Sequence, residues 1–218
     1  MPVLNTYKSP LLGIWKISES WQILFDLLIN KETYYPDLEK IQSEKRKQEW
    51  LAARLLLQHL TDGDTPIRYH KNGAPFLPDS EYRISISHTQ GFAAVLLSKS
   101  SNPGIDIEYH SERAWRLRKK YMNEGELTFI TSLCDHKNTA NKTMADATEI
   151  ATLCWCAKET AYKALGETAV DFAKHLCIEP FSPAKEGILM LNERRTKQKL
   201  SFKIDYQITK DFILAIHA

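Results

Sequence analysis

The feature that most constrains this chain is a strand–turn–strand signature that occurs twice. Tyr82, Ile84 and Ile86 alternate with Arg83, Ser85 and Ser87, the period of two that a half-buried strand requires. Thr89-Gln90-Gly91 reads as a hairpin turn, and Phe92 to Leu97 is an apolar run suited to a buried strand. The pattern returns near the C-terminus, from Leu200 to Ile208 and from Phe212 to His217. The two hairpins occupy similar places in the two halves of the chain, although no sequence repeat accompanies them.

Helical periodicity fills much of the remainder. It predicts helices near Ser18 to Ile29, from Pro36 to about Leu60, from Arg113 to Lys120, from Glu124 to Leu133, and from about Asp146 to Leu165. Ile67 to Tyr69, Ile105 to Tyr109 and Gly187 to Leu191 read as further strands, and Cys134 to Thr143 as a polar loop. Asn102-Pro103-Gly104 breaks the chain between the halves. The expectation is α+β: an N-terminal lobe over residues 1–102 and a C-terminal lobe over 103–218, each a small antiparallel sheet packed with helices.

Composition excludes several function classes. A formal net charge of +2 over 218 residues gives no global field for nucleic acid, so any cationic site must be a local cluster. No window approaches the roughly 20 apolar residues of a membrane span. The first residues, Met1 to Lys8, lack the basic-then-apolar order of a signal peptide, so a cytoplasmic protein is expected. Cys134, Cys154, Cys156 and Cys177 match no zinc spacing. Cys154 and Cys156 would point about 200° apart on a helix, and free, partly buried thiols are the expectation.

Five segments carry candidate chemistry, each with a plainer explanation beside it. Gly104-Ile105-Asp106-Ile107-Glu108 places two carboxylates on one face of a strand. They repel unless a cation lies between them or one is protonated, and oxygen-only ligands suit Mg²⁺; otherwise they are a solvated strand face. Trp155 to Lys163 puts Trp155, Glu159 and Tyr162 on one side of a helix, with Glu159 and Lys163 an i, i+4 pair that could be only a surface ion pair. Ser87-His88-Thr89 ends a strand, as a turn histidine or as a donor to phosphate. Lys71 beside the Asn72-Gly73 turn could reach a phosphate. Arg46, Trp50 and Arg54 lie one turn apart, as a snorkelling stripe or as a phosphate grip.

Together these segments resemble the Sfp-type 4′-phosphopantetheinyl transferases. That family shows a Gly-Ile/Val-Asp-Ile/Val-Glu segment and, further on, a Trp-x-x-Lys-Glu-Ala/Ser-x-x-Lys segment. Here they are Gly104 to Glu108 and Trp155 to Lys163, preceded by Trp50 to Arg54, Lys71 to Pro75 and Ser87 to Thr89 in the family's order. Thr160 departs from the family's Ala or Ser. The resemblance implies two similar lobes related by a pseudo-twofold axis, with coenzyme A as co-substrate between them. It implies Asp106, Glu108 and Glu159 as Mg²⁺ ligands and Lys158 and Lys163 facing the pyrophosphate. Lys71, Ser87 and His88 would contact the coenzyme phosphates, with Arg46 and Arg54 as candidates for the 3′-phosphate.

The implied reaction is attack of a carrier-protein serine on the β-phosphorus of coenzyme A, releasing 3′,5′-ADP. Glu159 or a metal-bound water would take the serine proton, and Lys163 would stabilise the departing charge. The partner would be an acidic apo acyl or peptidyl carrier protein, bound transiently and steered by Arg113, Arg116, Arg118, Lys119 and Lys120. A monomer suffices, since both lobes lie in one chain. Two other classes compete: a non-catalytic coenzyme A or carrier binder on the same fold, which the presence of all three carboxylates and Lys163 argues against, and a nucleic-acid binder, which the near-neutral charge disfavours.

Overall fold

The computed structural model describes residues 3–8, 10–135 and 144–218, with side chains placed for residues 10–132 and 147–218. Two compact units make up the chain, Met1–Pro103 together with Ala218, and Gly104–His217. The first runs β1 (Val3–Lys8), β2 (Leu11–Lys16), α1 (Trp21–Asp26), a short helical turn (Lys31–Thr33), α2 (Tyr35–Glu39), α3 (Glu44–Thr61), β3 (Arg68–Tyr69), β4 (Pro75–Phe76), β5 (Arg83–Thr89) and β6 (Phe92–Ser98). Its main sheet has the order β1-β2-β6-β5, and every pairing is antiparallel.

Helix α3 is the backbone of this unit. Leu51, Leu55 and Leu56 pack with Trp15, Val95 and Leu97 of the sheet and with Leu24 and Leu38 of the smaller helices. The single helix expected from Pro36 to Leu60 is two helices. Ser43 takes extended backbone (φ −79°, ψ 124°) and its Oγ accepts from the Arg46 N–H at 3.4 Å, which starts α3 afresh. Ser20 does the same for α1, which is therefore shorter than its periodicity predicts.

The second unit runs β7 (Gly104–Tyr109), α4 (Arg113–Tyr121), α5 (Glu124–Asp135), α6 (Met144–Leu165), α7 (Phe172–His175), β8 (Leu176–Ile178), β9 (Glu186–Glu193), β10 (Ser201–Ile208) and β11 (Phe212–His217). The sheet order is β7-β11-β10-β9-β8, again antiparallel throughout. Cys134 and Asp135, expected in a loop, belong to α5; the rest of that predicted loop, residues 136–143, lies outside the described residues.

α6 is buried on two sides, which is why its apolar residues ring the helix. Cys156, Ala157, Ala161 and Ala164 face Leu191, Ile204 and Ala215 of the sheet. Ile150, Ala151 and Cys154 face Tyr121 of α4 and Ile130 of α5. Thr160, the departure from the family pattern, is fully buried and donates its hydroxyl to the Ala215 carbonyl at 3.0 Å. No helix of the described residues is long and apolar enough to cross a membrane.

Cys154, Cys156 and Cys177 are free and buried, as expected for them; the Cys134 side chain lies outside the described residues. Burial pushes the Cys154 thiol up to about 12 and Cys156 well above its ordinary value, and a protonated thiol is a poor nucleophile. Iodoacetamide at about pH 8 should leave both unmodified in the native protein and label both in guanidinium, read by peptide-resolved mass spectrometry.

Gly104 shows why the strand and α6 meet as closely as they do. A Cβ at this position would overlap the Thr160 carbonyl oxygen and lie 3.2 Å from the Ala164 Cβ. The neighbour is helix backbone, which cannot yield cheaply. Gly104→Ala is expected to lower stability by about 2–3 kcal/mol, read as a shift in the urea midpoint.

Candidate functional site

Gly104, Asp106 and Glu108 share one face of β7, and Ile105 and Ile107 on the other are fully buried. Because Gly104 lets the α6 backbone approach, the carboxylates are brought up to residues one and two turns along that helix. Lys163 donates from Nζ to Asp106 Oδ1 at 2.8 Å and to the Ile105 carbonyl at 2.7 Å. Trp155 donates from its indole Nε1 to Glu108 Oε1 at 3.2 Å. Two residues in the C-terminal half of α6, Trp155 and Lys163, thus hold the strand's acids in place, with Glu159 between them in sequence.

Glu159 is half-buried, and its carboxyl is pushed up to about 7. Burial is the largest cause; the charges of Asp106 and Glu108 add to it, and Lys163 opposes them. The three acids therefore feel one another across β7 and α6. Among the described residues, no three His, Cys, Asp or Glu side chains converge closely enough to hold an ion as they stand. The donor chemistry nonetheless fits a hard divalent cation: the set is all oxygen, and the repulsion raising Glu159 is what such a cation relieves.

Lys158 requires a correction. Expected to face the pyrophosphate, it is fully buried. Its Nζ donates to Glu126 Oε2 at 2.7 Å, the Tyr121 carbonyl at 2.7 Å and the Phe172 carbonyl at 3.0 Å. An ammonium has three donors, and all three are used. Glu126, 6% exposed, accepts as well from the Asn123 and Ile178 N–H groups. Lys158 ties α6 to α4, α5 and α7, and the adjacent residue, Glu159, leaves the helix on another side.

The first unit holds a second set of candidates. His88 is on the face of β5 that carries Ile84 and Ile86 toward α3, and it meets Arg46 there. Sequence reasoning missed the third member, Glu49 of α3. Its Oε2 lies 3.2 Å from His88 Nδ1 and 3.3 Å from Arg46 Nη1. The i, i+3 spacing from Arg46 is the sequence signal for it. Ser87 follows the strand's alternation and is buried on the opposite face from His88, so the two side chains do not address one phosphate together. Lys71 is exposed in the turn joining β3 and β4, where Gly73 supplies φ 83°.

Arg54 also departs from expectation. It is 5% exposed, its guanidinium stacks 3.1 Å above the Trp50 ring centroid, and its Nη1 donates to the Trp50 carbonyl at 3.1 Å. Burial lowers its pKa to about 10. In this arrangement it packs the N-terminal core, and its Nε is buried without a hydrogen-bond partner.

Residues 102–217 match the model of the 4′-phosphopantetheinyl transferase superfamily, and residues 39–98 match that of the 4′-phosphopantetheinyl transferase N-terminal domain. The chain is 36% identical over 80 residues to the 4′-phosphopantetheinyl transferase AcpT of Escherichia coli O157:H7, and equally to AcpT of Escherichia coli strain K12. The aligned stretch covers 36% of this chain and 41% of each relative, so it spans about two fifths of the curated proteins it matches.

Proposed function

Because the chain belongs to the 4′-phosphopantetheinyl transferase superfamily, we propose that it transfers the phosphopantetheine arm of coenzyme A to a serine of an apo acyl or peptidyl carrier protein. The observation that carries this reading is the β7–α6 constellation: Asp106 and Glu108 pinned by Lys163 and Trp155, beside a carboxylate of Glu159 poised near neutral pH. Asp106, Glu108 and Glu159 would hold Mg²⁺, which when bound supplies charge neutralisation at the pyrophosphate.

The chain's own residues account for the remaining steps. Glu159, or a water held beside it, takes the proton of the serine hydroxyl as general base. The serine oxygen then bonds to the β-phosphorus, the bond from that phosphorus to the bridging oxygen breaks, and 3′,5′-ADP leaves with the electron pair. Lys163, 26% exposed in its side chain, offers its ammonium to the phosphate charge that develops. In the first unit, His88 and Arg46 address a coenzyme phosphate. Arg113, Arg116, Lys119 and Lys120 are exposed on α4 and form a basic face for an acidic carrier. Arg118 turns back onto the Trp115 ring at 3.9 Å.

The reading is tested by following the small product. Chromatography should detect 3′,5′-ADP only when coenzyme A, Mg²⁺ and an apo carrier are all present. Its release from coenzyme A without any carrier would make the protein a hydrolase and reject the reading.

A further inference from the structure

Beneath His88 and Arg46 lies a carboxylate that the reaction above does not use. Glu49 is one turn along α3 from Arg46, and its side chain is only 8% exposed. Oε2 bridges His88 Nδ1 at 3.2 Å and Arg46 Nη1 at 3.3 Å, while Lys45 Nζ stands 4.0 Å from Oε1. Arg46 also donates to His88 Nε2. An ionised carboxylate can only accept, so the ring proton sits on Nδ1, donating to Glu49. One buried carboxylate thus fixes both the tautomer and the plane of the imidazole, and leaves Nε2 as the atom turned toward exposed Arg46.

We propose that Glu49 is a positioning residue that holds His88 for a phosphate of the coenzyme, an inference that rests on the transferase reading. A phosphate oxygen at Nε2 needs a proton there. A carboxylate on Nδ1 favours the doubly protonated ring, just as a carboxylate behind a metal-bound histidine raises its basicity. His88 then donates through Nε2 to the phosphate and through Nδ1 to Glu49. Arg46, 52% exposed in its side chain, shifts its guanidinium from the imidazole to the same phosphate. The contrary role is simple charge cancellation, in which Glu49 offsets surplus cations and opposes anion binding. The two roles predict opposite signs.

The experiment uses the full chain and 3′,5′-ADP as the probe. Calorimetry compares wild type with Glu49→Ala, Glu49→Gln, His88→Ala and the Glu49→Ala/His88→Ala double variant. Glu49→Ala should weaken binding about tenfold, the scale of losing a carboxylate that orients a histidine, and raise KM for coenzyme A with kcat unchanged. The double variant should bind no worse than His88→Ala, because Glu49 acts through the ring. Glu49→Gln keeps an acceptor and should recover part of the loss. Nitrogen-15 NMR of the imidazole should show the Nδ1–H tautomer in the free wild type and lose that preference in Glu49→Ala. Unchanged or tighter binding by Glu49→Ala, or additive losses in the double variant, would overturn the proposal while leaving His88 as a ligand. Wild-type binding by His88→Ala would remove the phosphate role of His88 and the positioning role with it.

Discussion

Lys158→Ala is expected to destabilise the protein by about 3–5 kcal/mol, the cost of breaking a buried ion pair from one side. The ammonium is fully buried and is spent on Glu126, Tyr121 and Phe172. Its removal strands the Glu126 carboxylate, 6% exposed, where only two backbone N–H groups remain to it. A total stability of about 5–15 kcal/mol is usual for a folded protein, so much of the variant could be unfolded at assay temperature. Urea denaturation measures the loss directly. Lys158→Met combined with Glu126→Leu removes both charges and should recover a large share of it, because the penalty lies in the unpaired partner. A Lys158→Ala protein with wild-type stability and a raised KM for coenzyme A would return this lysine to the pyrophosphate role that the family resemblance implies.

Glu159→Gln should lower the transfer rate at least about a hundredfold, within the usual range for a general base, and at the same time make the metal-free protein more stable near pH 8. The sign follows from linkage. The Glu159 carboxyl is raised from 4.5 to about 7 in the folded protein, so the folded state holds its proton more tightly than the unfolded one. As pH rises from the unfolded value through about 7, the unfolded chain ionises first and stability falls; above that window the deficit is constant. Glutamine cannot ionise and escapes the deficit, by about 1–3 kcal/mol at pH 8 and by nothing near pH 4. Denaturation at the two pH values checks the stability, and a transfer assay checks the rate. A variant that is equally active, or less stable at pH 8, would contradict the electrostatics of the site.

How much of this was legible in the sequence can be seen residue by residue. The alternation of Tyr82 to Ser87 and of Leu200 to Ile208 appears as strands β5 and β10, because a period of two survives in any half-buried strand, and the apolar run Phe212 to His217 appears as the buried strand β11. Asp106 and Glu108 share a face for the same reason. The sequence pattern missed β1 and β2: Leu11 to Trp15 is nearly continuous in apolar residues and has no period to detect, and its partner β6 is far along the chain. It also missed α7 and β8, each too short for a period to register.

The site divided along similar lines. The family resemblance placed Lys158 and Lys163 alike, both facing the pyrophosphate. Only tertiary packing separates them. Lys163 leaves α6 toward β7 and keeps a solvent-facing side, and Lys158 leaves it toward Glu126 of α5 and has none. A glutamate beside lysines and arginines on a helix is ordinarily a surface ion pair, so sequence alone does not single out Glu49. Its burial against His88, from a strand remote in sequence, is a property of the fold.

The central claim is phosphopantetheine transfer carried by Asp106, Glu108 and Glu159, and intact-mass spectrometry of a small panel of apo carrier proteins tests it most directly. After incubation with this protein, coenzyme A and Mg²⁺, at least one carrier should gain the mass of a single phosphopantetheine on its serine, and the Asp106→Ala protein, shown folded by circular dichroism, should produce no gain. A normal gain with Asp106→Ala, or none on any carrier with the wild type, would contradict it.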